Sequence, residues 1–261
     1  MEQNPNKMNK IKETHPLLHF IIADYHSSLT NSQNKNRSLH AFARGLTTIY
    51  DYDVNIYKHF EKRIITEKDF KNFWNGTFAE IIVMAFYIRE EFKVEFETEE
   101  ADLILKIDDD PIYLEVFSIN PDLKVAQNIE DIKCHDIKTH LPIINTSSVR
   151  GKLHGKLGEN QDQFKDGRKN IAVIELNNTA IAGNFHILSS LSGGYEILLD
   201  KNTGKVVNGG FNWNNNNFFT TEGGKRISAI IWFDMGDYED RRKIKNPNAS
   251  CLIDDMILEG L

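Results

Sequence analysis

The stretch ADLILKIDDDPIYLEVFSI, residues 101–119, constrains the fold more than any other part of the chain. Two apolar runs flank the turn cluster Asp108-Asp109-Asp110-Pro111, so the segment reads as a β-hairpin. Asp102 opens the first strand, and Glu115 stands inside the second among Ile112, Leu114, Val116 and Ile119. A carboxylate within such a run is costly to desolvate unless it is paired or binds a cation. Two acids brought together by adjacent strands can hold a divalent cation. Asp108, Asp109 and Asp110 are most simply turn residues.

Around this hairpin the pattern alternates between helix and strand. Leu17, Leu18, Ile21, Ile22 and Tyr25 follow helical spacing, residues 27–37 read as a polar loop, and a second helix is expected over 39–49. Further helix is expected over 54–65, so residues 1–72 read as an N-terminal helical region, either separate or packed on the main domain. Residues 73–92 form the strongest amphipathic pattern, with Glu80 set among Phe78, Ile81, Ile82, Ala85, Phe86 and Ile88. A strand near 93–97 precedes the hairpin. Residues 147–165 read as a helix weakened by Gly151, Gly155 and Gly158. Buried-strand patterns follow at 171–176 and 227–233, with a long exposed loop or hairpin expected between 209 and 224. The expected class is therefore α/β (α+β), with the main domain over residues 73–261.

Charge and cysteine content narrow the function classes. The formal net charge is −7, which argues against a sticky, constitutive coat for nucleic acid. That average hides an acidic tract over 89–131 and a basic one over 133–169, the latter with Lys133, Lys138, Arg150, Lys152, Lys156, Lys165, Arg168 and Lys169. Such a pairing suits a cation site beside a phosphate-binding surface, and equally two ordinary solvated faces. No apolar run is long enough to span a membrane, and the polar first residues do not read as a signal peptide. Cys134 and Cys251 make no disulfide framework, which fits a reducing cytoplasm.

Glu80 on a helix, Asp102 at the start of a strand and Glu115-Val116-Phe117 in the next strand resemble the PD-(D/E)xK restriction-endonuclease-like superfamily. The resemblance covers residues 73–176, and more faintly the strand at 227–233 and Asn246-Pro247-Asn248-Ala249. It implies a central mixed β-sheet flanked by helices. It also implies Mg²⁺, with Mn²⁺ as a substitute, held by Asp102 and Glu115 with Glu80 assisting. The implied activity is hydrolysis of nucleic-acid phosphodiester bonds, most simply by a DNA endonuclease.

One departure matters. The family carries Lys two positions after the strand Glu, where this chain has Phe117. A lysine there would polarise the phosphate or the attacking water, and phenylalanine does neither. Lys106 shares a strand face with Asp102 and Ile104. Lys152, Lys156, Glu159 and Gln163 fall on one face of the later helix. Lys156 is the preferred substitute and Lys152 the next, with Gln163 positioning phosphate or water. Two rival readings stand beside this one: a nuclease-like fold without catalysis that serves as a DNA-binding or assembly module, and an unrelated α+β protein whose hairpin acids point apart. Sequence-specific cutting of duplex DNA would imply a homodimer, but no dimer face is legible.

Elsewhere, Gly151-Lys-Leu-His-Gly-Lys156-Leu157 lacks the spacing and the Ser/Thr of a phosphate-binding loop. Cys134, His135, His140 and His154 show no paired zinc spacing. Phe211, Trp213, Phe218 and Phe219 either stack on bases or pack a loop onto the domain.

Overall fold

A computed structural model describes residues 33–66, 76–97, 101–107, 110–119, 151, 155, 163–176, 184–192, 195–211, 213, 217–234 and 237–261. The helices are α1 (Gln33–Tyr52), α2 (Val54–Thr66), α3 (Thr77–Arg89), α4 (Asn184–Leu191), α5 (Glu222–Lys225) and α6 (Asp255–Gly260). The strands are β1 (Lys93–Glu97), β2 (Ala101–Ile107), β3 (Asp110–Ile119), β4 (Lys169–Leu176), β5 (Tyr195–Leu199), β6 (Val206–Phe211), β7 (Ala229–Asp234) and β8 (Asp237–Lys245). Six of them form one mixed sheet in the order β1-β2-β3-β4-β7-β8. The pairs β1/β2, β2/β3 and β7/β8 are antiparallel, whereas β3/β4 and β4/β7 are parallel. β5 and β6 make a separate antiparallel pair.

Two cores lie on the two faces of the main sheet. Leu103, Leu105, Ile112, Leu114, Val116, Ile171, Val173, Ile231 and Phe233 pack against α3, α1 and α2. Phe117, Ile119, Ala172, Ile174, Leu176, Ile230 and Trp232 pack on the other side with Ile187 and Leu191 of α4 and with Phe164, Phe218 and Phe219. This division follows from the two-residue period of a strand. β4 is buried along nearly all its length, as expected of a parallel strand covered on both faces.

The expected helix at 73–92 begins, among the described residues, at Thr77, and it differs from an amphipathic surface helix. Every residue from Thr77 to Tyr87 is buried, because the sheet lies on one side of α3 while α1 and α2 pack on the same core. Gly45 on α1 permits that packing: a Cβ there would stand 3.0 Å from Ile81 Cγ2. α2 starts at an N-cap, with Asp53 Oδ1 accepting from Asn55 N at 2.7 Å. α3 ends in a Schellman turn in which Phe92 N donates to Tyr87 O at 3.0 Å and Glu91 N to Ile88 O at 3.1 Å. Glu91 takes the left-handed conformation (φ 63°) that this turn requires.

The tract expected as a long exposed loop or hairpin at 209–224 divides. β6 is indeed exposed, whereas Phe218 and Phe219 are buried in a 3₁₀ turn (Phe218–Thr220) leading into α5. Asn246, fully buried, donates from Nδ2 to Gly224 O at 2.9 Å and to Ile227 O at 2.7 Å, so the 246–249 segment locks this turn to β7. A Cβ on Gly224 would lie 2.1 Å from Phe218 O, a backbone atom that cannot step aside. Gly224→Ala should therefore cost about 2–3 kcal/mol, read as a lower denaturant midpoint at unchanged slope. No helix among the described residues is long and apolar enough to cross a membrane.

Candidate functional site

Asp102 and Glu115 both lie where the β2–β3 ladder ends. The paired register ends at Leu103 opposite Leu114, and strand alternation puts Asp102 and Glu115, the next residues out, on one face of the sheet. At this point Val116 N donates to Asp102 Oδ2, at 2.8 Å. The aspartate thus caps the end of the ladder and is held by it. Glu115 is 7% exposed, and Asp102 is half-buried. Beside Glu115 on β4 lies Ala172, a small neighbour on the same face.

Phe117, two residues on, shares that face and is 6% exposed within the second core. The position at which the family carries its lysine is filled by packing. Of the substitutes, Lys106 lies four residues along β2 from Asp102, about 13 Å away. Its Nζ sits 3.2 Å from Glu95 Oε2 on β1. Lys152 and Lys156 lie outside the described residues. Gly151 and Gly155, on the same expected helix, are helical and exposed, while Gln163 is exposed in a turn ahead of β4, so the helix ends before Lys165.

Glu80 belongs to the layer of helices on the opposite side of the sheet. It is 4% exposed in the first turn of α3. Both of its oxygens accept from one guanidinium on α2: Arg63 Nη1 to Oε2 at 2.5 Å and Nη2 to Oε1 at 2.9 Å. Bidentate pairs of this kind fix both partners. His59, one turn before Arg63, has its pKa lowered, first by burial and then by the Arg63 charge, with Glu80 opposing.

A further acid, Glu175, is buried in the sheet. Glu175 on β4 is fully buried, and its Oε2 accepts from Ser118 Oγ on β3 at 2.7 Å. Alternation places this pair on the α3 side of the sheet, away from the Asp102–Glu115 face. The signal that singles out Glu115, an acid within a buried apolar strand, was equally present at Glu175.

Among the described residues no three His, Cys, Asp or Glu side chains group closely enough to ligate one ion. The donor chemistry at Asp102 and Glu115 nonetheless fits a divalent cation: two carboxylates, one already oriented by a backbone N–H. Glu80 fits less well, because both its oxygens hold Arg63. Comparison with protein-family models, with curated proteins and with solved structures finds no match to this chain.

Proposed function

We propose that the chain is a metal-dependent nuclease of the restriction-endonuclease-like class that hydrolyses phosphodiester bonds in DNA. The feature that carries the reading is that Asp102 and Glu115 fall on one face where the β2–β3 ladder ends, with Val116 N donating to Asp102 Oδ2. The chain order supports it as well: a buried helix, three antiparallel strands, then a fourth strand parallel to the third. Asp102 and Glu115 would hold Mg²⁺ or Mn²⁺, which supplies an activated water and neutralises charge on the phosphate. Asp102 is oriented for this by Val116 N–H, and Glu115 by its place within the strand.

Phe117 supplies no charge, and the sequence candidates for a cation that would stabilise the phosphate are Lys156 and Lys152, with Gln163 positioning phosphate or water. The rival reading, a nuclease-like fold serving as a DNA-binding or assembly module, draws on the same buried Phe117. Calorimetric titration with Mn²⁺ separates the two. The nuclease reading expects one binding event that Asp102→Asn and Glu115→Gln each weaken at least ~10-fold. Binding that is absent, or indifferent to both substitutions, rejects the cation site.

A further inference from the structure

The face of the sheet that carries Glu115 also carries Tyr113, two residues earlier on β3, since alternate residues of a strand project the same way. Phe117 follows in the same alternation and belongs to the second core, which fixes which face this is. Tyr113 is half-buried, and the guanidinium of Arg168 lies over its ring, 4.5 Å from the centroid. Tyr113 and Glu115 stand roughly 7 Å apart along β3, a gap that one phosphate group and its hydrogen bond bridge. The contact therefore brings a cation to the face on which Phe117 supplies none.

Arg168 is set in place by the turn that leads into β4. Phe164 anchors the start of this turn in the second core, and Gly167 supplies its left-handed residue (φ 74°). Asn170, 1% exposed and opposite Tyr113 in the register, donates from Nδ2 to Lys165 O and to Arg226 O, each at 2.8 Å. Its backbone N donates to Arg168 O at 3.1 Å. The backbone that bears Arg168 is thus fixed on both sides, and the ring of Tyr113 fixes the far end of the side chain. A guanidinium carries its five N–H donors in its own plane, so one resting on a ring keeps donors at its rim.

Nearby cations are engaged by carboxylates. Lys169 pairs with Asp110, and Arg226 Nε lies 3.3 Å from Asp166 Oδ1. Lys106, on the same face of β2, pairs with Glu95. An arginine also suits phosphate better than a lysine does. Its charge is kept at every pH the fold meets, and its rigid fork meets two phosphate oxygens with two parallel N–H donors. An ammonium on a flexible stem offers a point charge without that geometry.

We propose that Arg168, held over Tyr113, is the phosphate-binding cation of the face that carries Asp102 and Glu115, in place of the family's lysine. The inference rests on the nuclease reading for its chemistry, and DNA binding in EDTA tests it apart from cleavage. Anisotropy of a fluorescein-labelled duplex DNA across a salt series should show Arg168→Gln lowering the salt slope by about 0.9, the loss of one phosphate contact. Arg168→Lys keeps the charge and should keep the slope. In Mg²⁺, single-turnover cleavage should fall about 10²-fold for Arg168→Gln and about 10-fold for Arg168→Lys, with Mn²⁺ affinity unchanged in both. Tyr113→Phe should cleave like the wild type, and Tyr113→Leu about 10-fold more slowly. Thermal melts establish that each variant is folded. If Arg168→Gln does not fold, Arg168→Lys decides, and cleavage within about twofold of wild type overturns the proposal. In a folded Arg168→Gln chain an unchanged slope overturns it, as does an undiminished rate, and the nuclease reading then survives wherever the wild type cleaves. A wild-type chain that binds duplex without cleaving it, with the lower slope in Arg168→Gln, upholds the phosphate contact and rejects the nuclease. A chain that neither binds nor cleaves DNA overturns both.

Discussion

Glu115→Ala is expected to abolish Mg²⁺-dependent cleavage of DNA while leaving the chain folded. Glu115 has the stronger claim of the two acids: it is 7% exposed within a strand whose neighbours Leu114, Val116 and Phe117 all belong to a core. Retaining a carboxylate within that apolar strand works against burial. Removing it should cost on the order of 10³-fold in rate, about 4 kcal/mol of transition-state stabilisation. Glu115→Gln keeps the shape and hydrogen-bonding capacity while deleting the charge, so it should lose activity to a similar degree with a melting temperature near that of the wild type. Single-turnover cleavage of single-stranded and duplex DNA, alongside thermal melts, measures both. Full cleavage by a folded Glu115→Gln chain would falsify the assignment.

The hairpin carrying this site was legible because its signals are local. Alternating apolar residues and the Asp-rich turn specify two strands, and register then follows from burial of Leu103, Leu105, Ile112 and Leu114. α2, β1, β4 and β7 are legible for the same reason. β8 is not, because it is an edge strand with the sequence DYEDRRKIK, in which Tyr238 alone is fully buried. Charged edges discourage aggregation and at the same time erase the apolar pattern that marks a strand. α3 has an amphipathic look in the sequence because its period cannot show that α1 and α2 pack on the same core.

The site was less legible than the fold. Phe117 reads in the sequence as a lysine lost, whereas the structure makes it a core residue between Glu115 and Ile119. The rule that selects Glu115 selects Glu175 equally, yet Glu175 lies on the opposite face, where it accepts from the Ser118 hydroxyl. Glu80 shows the sharpest limit. Its partner Arg63 lies 17 residues earlier on a different helix, a relation that no spacing rule encodes.

That partnership predicts the largest stability effect in the chain. Arg63→Ala should lower the unfolding free energy by about 3 kcal/mol, because it strands a buried carboxylate. Glu80 is 5% exposed at its side chain and Arg63 33%, so water reaches the cation more easily than the anion. Adding Glu80→Gln to Arg63→Ala should restore more than half of the loss, since the stranded charge is gone, and a double-mutant cycle measures the coupling. His59 provides a second readout. Its lowered pKa means the unfolded chain binds the proton more readily, so the fold loses stability as pH falls through the ordinary histidine range. Without Arg63 the second cause of that lowering is removed and the opposing influence of Glu80 remains. The His59 pKa should therefore rise in an NMR titration, and the acid-side loss should shrink. Glu80→Gln separately tests the metal role the sequence suggested. With both oxygens held by Arg63, the substitution should leave Mn²⁺ affinity unchanged while lowering stability, and a tenfold loss of affinity would instead put Glu80 among the ligands.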